Sequence, residues 1–235
     1  MSIQFSDLAR QILPGGDKAA GDAARAEVEA LFSLHRGLED PDPDWCESFV
    51  ASVTAFVIRS AASPAIDGMR ADAWMIAQID ADGGRRSLAE FEALVRVVEQ
   101  APVLRAKLRG YALDRIERIV LSDEEPSCGC EEAHRPSVRD AAPSLVRRLL
   151  FADEPAAAPP VRAGDVERLH RMTQATRAHG DAAKWEVLLA DCLSNYLDGF
   201  LRAETEPRAL DGFVADCNAE FGRAMGAMLR GISQP

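Results

Sequence analysis

Trp45-Cys46-Glu47-Ser48-Phe49-Val50-Ala51-Ser52-Val53-Thr54-Ala55-Phe56 spaces Trp45, Phe49, Val53 and Phe56 four, four and three residues apart. That spacing puts all four on one face of a helix and reads as a core stripe. Trp185, Leu189, Leu193 and Tyr196 repeat it near the other end of the chain. Working outward, Ala26-Glu27-Val28-Glu29-Ala30-Leu31 answers to Gly164-Asp165-Val166-Glu167-Arg168-Leu169, and Leu8-Ala9-Arg10-Gln11-Ile12-Leu13 answers to Leu145-Val146-Arg147-Arg148-Leu149-Leu150. A unit met twice in the same order predicts an architecture. The expectation is an all-α helical bundle with an internally duplicated three-helix unit.

The rest of the sequence agrees. Nearly half of its 235 residues are apolar and 28% are charged, with few aromatic residues, a balance that favours helices and a packed core. Helices are expected at about 6–13, 22–38, 45–61, 70–79, 87–100, 102–121 and 208–229. In the second of these Val28, Leu31, Phe32 and His35 share a face; Asp44 is read as the N-cap of the Trp45 helix. Ser87-Leu88-Ala89-Glu90 reads as a capping box. Ser122 to Pro143 lacks large apolar residues over most of its length and reads as a linker. The expected domains are an N-terminal helical half at 1–122, a linker at 123–143, and a C-terminal half at 144–235 repeating residues 7–60.

A formal net charge of −11 argues against a nucleic-acid partner, because phosphate binding needs a dense basic surface. Arg105, Lys107, Arg109, Arg115 and Arg118 crowd one helix, but Leu104, Leu108, Ala112, Ile116 and Val120 recur beside them every fourth residue. The basic set therefore reads as a solvated face over a core stripe. The longest apolar run, Phe49 to Ile58, is half the ~20 residues a membrane helix needs, so no membrane span is expected. The absence of a signal-like start and the odd count of five cysteines fit a cytoplasmic protein.

Three places could carry chemistry. Asp80-Ala81-Asp82-Gly83 offers closely spaced carboxylates, but an EF-hand register through Asp80 and Asp82 puts the first ligand on Gln78 and the bidentate position on Ala89, one short of Glu90. Cys128-Gly129-Cys130-Glu131-Glu132-Ala133-His134 offers two thiols and an imidazole, ligands that suit zinc or copper, with a fourth ligand to come from a partner chain. Glu131 with His134 and Glu167 with His170 have the Glu-x-x-His spacing of carboxylate-bridged metal centres in helical bundles. In the duplicate, Glu167 and His170 correspond to Glu29 and Phe32, which argues against a symmetric centre. Cys46, Cys192 and Cys217 are expected as buried structural thiols.

The acidic turn at Asp80, followed by a capped helix carrying Glu90, Leu94 and Val98, resembles the TerB-like helical family, named for tellurite resistance. The resemblance covers about Ala73 to Val98, within a TerB-like segment at about 70–121. It implies a stress-associated role and a divalent metal held by acidic residues, with Asp80, Asp82 and Glu90 as the matching positions. Arg85-Arg86 departs from that pattern. The functional expectation is a non-catalytic interaction or stress-associated module that binds a protein partner, homo-oligomerisation being compatible, with Asp80, Asp82 and Glu90 as the ligands that the resemblance implies for a divalent metal. The alternatives are a metal sensor or carrier using Cys128, Cys130 and His134, and a metal enzyme using Glu167 and His170.

Overall fold

A computed structural model describes residues 18–62, 70–81, 87–122, 137–151, 161–177 and 182–204, with the backbone alone at 18–21 and 199–204. The expected helices at 6–13 and 208–229, and the Cys128 to His134 run, lie outside the described residues. Among those residues every regular element is a helix: α1 (Lys18–Gly37), α2 (Pro43–Ala62), α3 (Ala71–Asp80), α4 (Leu88–Gln100), α5 (Pro102–Leu121), α6 (Val138–Phe151), α7 (Ala163–Thr176) and α8 (Ala182–Glu204). The fold is all-α. No described helix is long and apolar enough to cross a membrane.

The chain divides into two compact units, one taking in residues 1–115 and 124–141 and the other 116–123 and 142–235, so the division falls inside α5 and α6. In the first unit α2 packs against α1, α3 and, most extensively, α4. Its sequence explains this central place. Phe49, Val50, Val53, Thr54, Phe56 and Val57 are all buried, a wider arc than a stripe packed on one partner needs. α1 supplies Val28, Leu31, Phe32 and His35, the spacing the sequence predicts. Phe32 meets Phe49 and Trp74 edge-on at 5.1 and 6.1 Å, and Phe56 meets Trp74 at 4.9 Å. α4 is buried almost all round although valine-rich, because packing outweighs the small helix penalty of β-branched residues.

In the second unit α7 and α8 form the main contact. Val166, Leu169 and Met172 face Trp185, Leu188, Cys192 and Tyr196 in its core, with Leu145, Leu149 and Leu150 of α6 buried as well. The proposed duplicate positions agree in burial at Val28 and Val166, at Leu31 and Leu169, and at Phe56 and Tyr196. They part along the tryptophan helices: Phe49 and Val53 are buried, whereas Leu189 and Leu193 are half-exposed and Leu188 and Cys192 take the core places. A helix packed mainly against one neighbour needs a narrower buried arc than α2.

Three local expectations are corrected. Asp42, not Asp44, caps α2: its carboxylate accepts from Trp45 N–H at 2.8 Å, and Pro43 occupies the first helical position, where a missing N–H costs nothing. α6 starts inside the stretch read as a linker. Ser137 and Asp140 form a reciprocal capping box, with Asp140 N–H donating to Ser137 Oγ at 3.1 Å and Ser137 N–H to the Asp140 carboxylate at 2.9 Å. Pro143 then lies inside the helix, in its second turn, where it forgoes the backbone bond to the Arg139 carbonyl. Finally, the basic face of α5 is not simply solvated: Arg105 and Arg109 are buried, and Arg105 donates to the Val98 and Glu99 carbonyls at 3.1 and 3.3 Å, capping the C-terminal end of α4. The stripe beside them is as expected, with Leu104, Leu108, Ala112, Ile116 and Val120 all buried.

Phe32→Ala removes a fully buried ring from the aromatic cluster and is expected to destabilise the protein by about 3–5 kcal/mol in urea unfolding. Leu34→Ala, two residues on and exposed, is expected to change stability by less than about 0.5 kcal/mol. Equal losses would show that the α1 core face is misassigned.

Candidate functional site

The densest polar arrangement in the first unit lies where the C-terminal end of α1 meets the start of α4. Helical spacing brings His35 and Arg36 there, next to each other but pointing to different partners. The His35 ring stacks on Phe49 at 4.5 Å and 17° between planes, and its Nε2 lies 2.6 Å from Ser87 Oγ. On the other side Trp45 Nε1–H donates to His35 Nδ1 at 3.3 Å. Ser87 Oγ accepts from Glu90 N–H at 3.4 Å, the first half of the capping box expected from the sequence. The Glu90 carboxylate, nearly fully buried, accepts from Arg36 Nε at 2.9 Å. Arg36 also donates to the Gln78 carbonyl near the end of α3 and lies over the Phe32 ring at 5.1 Å.

A histidine 2.6 Å from a serine hydroxyl resembles a nucleophile and its base. The third member decides otherwise. An indole N–H can only donate, so His35 Nδ1 must be the acceptor, and a neutral ring then carries its proton on Nε2. That nitrogen donates to Ser87 and cannot take the serine proton. A catalytic histidine needs the opposite tautomer, with Nδ1–H held by an acceptor. His35 is therefore a structural link between α1, α2 and the start of α4.

The acidic positions expected to hold a metal are separated in role. Asp80 is exposed at the end of α3, where it accepts from the Tyr111 hydroxyl at 2.7 Å and lies 4.0 Å from Arg115. Glu90 is buried against Arg36, which already supplies its positive partner. Asp82, Cys128, Cys130 and His134 lie outside the described residues. Among the described residues no group of three or more His, Cys, Asp or Glu is arranged to hold a metal ion. Glu167 and His170 are half-exposed on α7, and Glu131 is not described. Cys192 is buried as expected, whereas Cys46 is half-buried, its thiol pushed up by burial and then by the charge of Asp42.

A second polar cluster was not anticipated from the sequence. Asp72, buried near the start of α3, accepts from Arg70 Nη2 at 2.9 Å, Lys107 Nζ at 3.1 Å and Ala73 N–H at 2.8 Å. Burial alone raises its carboxyl, but the Lys107, Arg70 and Ala73 hydrogen bonds together outweigh it and hold the group below the usual carboxylate value. Glu29 is lowered by its hydrogen bond from Trp74 Nε1 and by Arg25. No sequence pattern announces either pair, since their members are up to 45 residues apart.

No protein-family model, curated protein or solved structure matches this chain.

The depressed Asp72 carboxyl fixes the sign of an acid response. A group with a lower pKa folded than unfolded contributes fully above its ordinary value, 3.8, and that contribution disappears as pH falls from there through the folded value. Urea midpoints are expected to drop more steeply below about pH 4 in the native chain than in Asp72→Asn. Parallel pH curves for the two proteins would refute the depressed assignment.

Proposed function

We propose that this chain works by binding another protein and not by turning over a substrate. The observation that carries the reading is the exposed pair Leu34, near the end of α1, and Leu38, just past it, 57% and 45% accessible and beside the His35 and Arg36 network in the chain. They stand one turn apart and run into Glu39, Asp40, Asp42 and Asp44, in a chain with a net charge of −11. An apolar strip beside acids suits a partner that offers apolar side chains ringed by lysine or arginine. The tautomer argued for His35 removes the best candidate for nucleophilic catalysis. The TerB-like resemblance adds a stress-associated setting, and with it a divalent ion at the exposed Asp80 and neighbouring Asp82. In that reading Glu90 serves the fold, not the ion.

Affinity capture from a lysate should retain a stoichiometric partner with the native chain and lose it with Leu34→Glu/Leu38→Glu, whose exposed sites leave the melting temperature nearly unchanged. In the same preparation a fluorophosphonate probe should leave Ser87 unlabelled. A partner retained by the double variant, or labelling of Ser87 at a rate lost with His35→Gln, would overturn the reading.

A further inference from the structure

His35 joins three helices through a ring that can make its bonds in one charge state only. The side chain, on α1, is buried and stacked on Phe49 of α2, with Nδ1 accepting from the Trp45 indole N–H at 3.3 Å and Nε2 2.6 Å from Ser87 Oγ at the start of α4. An imidazole that gains a second proton is a donor at both nitrogens. The bond to Ser87 survives, since Nε2 already donates there. The bond from Trp45 does not, because two N–H groups then face each other and neither can accept.

The same residue holds the turn between α1 and α2. Its carbonyl accepts from Leu38 N–H at 3.3 Å, and Trp45 stands in the first turn of α2, where Asp42 caps its backbone N–H. The other charged groups on the elements packed against the ring have distinct places. Arg36, next to His35, pairs with Glu90 of α4, while Glu47 of α2 is held by Arg96 of α4, which also lies 3.6 Å from Glu92. The Cys46 thiol, raised by burial, stays neutral in acid. Glu39, Asp40 and Asp44 are exposed in and beside the turn, and their charge favours a cationic ring once it is free to move outward.

We propose that His35 is a proton-operated latch: a proton on Nδ1 releases Trp45 and opens the turn between α1 and α2 while the rest of the first unit stays folded. The closed latch binds one proton fewer than the open one, so acid favours opening and a return to neutral pH closes it again. The latch works with or without a partner at Leu34 and Leu38, so it stands apart from the proposed function.

Nitrogen-15 NMR of the full-length chain tests this through its three indole N–H signals, from Trp45, Trp74 and Trp185. At about pH 7.5 the His35 ring should carry its proton on Nε2. As the pH is lowered to about 5, the Trp45 indole signal should move with the same midpoint as the His35 ring nitrogens, while the Trp74 and Trp185 signals keep their positions. In Trp45→Phe, with the opposing N–H gone, His35 should charge at a pH at least about 0.5 higher. A proton on Nδ1 at neutral pH, a Trp45 signal that stays still while His35 charges, or three indole signals that collapse together would overturn the proposal. So would a His35 ring still neutral when the protein unfolds in acid, or an unchanged midpoint in Trp45→Phe. Should that variant fold poorly by circular dichroism, the titration of the native chain decides.

Discussion

Arg36 is the side chain on which the first unit turns. Its guanidinium joins the buried carboxylate of Glu90 on α4, the Gln78 carbonyl near the end of α3 and the ring of Phe32 on its own helix. A carboxylate as buried as Glu90 is costly without a cation, and a cation brought there without it is nearly as costly. The pair therefore constrains geometry more than it adds stability. α1 must present Arg36 one residue after His35, so fixing one fixes the other, and the aromatic stack on Phe49 follows.

That constraint bears on function. Two groups around this point could do chemistry, the carboxylate of Glu90, expected from the sequence as a metal ligand, and the imidazole of His35, and both have hydrogen bonds committed within the fold. Glu90 has its charge balanced by Arg36, and His35 is held by Trp45 in the tautomer that donates to Ser87. Two cations of α5 are likewise partnered within the first unit, the buried Arg105 with the end of α4 and the half-exposed Lys107 with Asp72. Among the described residues the large apolar side chains left exposed are Leu34, Leu38 and Val103 in the first unit and Leu121, Val187 and Leu197 in the second.

The helical spacing of Val28, Leu31, Phe32 and His35, the fourfold stripe from Leu104 to Val120 and the Ser87 cap were all legible in the sequence, because each depends on residues within a few turns of one another. The partner of Glu90 was not. The capping-box pattern pointed it at Ser87, three residues away, whereas its charge is met by Arg36, 54 residues away. Asp72 with Lys107 and Glu29 with Trp74 were hidden for the same reason. The start of α6 is hidden differently: the scarcity of large apolar residues up to Pro143 reads as a linker, whereas the Ser137 and Asp140 box opens a helix inside that stretch. The buried arc on α8 is offset from the α2 pattern, since matching residues packed on different sets of neighbours need not turn the same face inward.

A double-mutant cycle of Arg36→Met and Glu90→Gln, followed by urea unfolding, tests most directly whether Glu90 belongs to the fold. Each single change is expected to destabilise by about 2–4 kcal/mol, and the double change by much less than their sum, a coupling of about 1–3 kcal/mol. Additive losses, with Glu90→Gln instead abolishing a stabilisation by calcium or magnesium, would contradict the account and return Glu90 to a metal site.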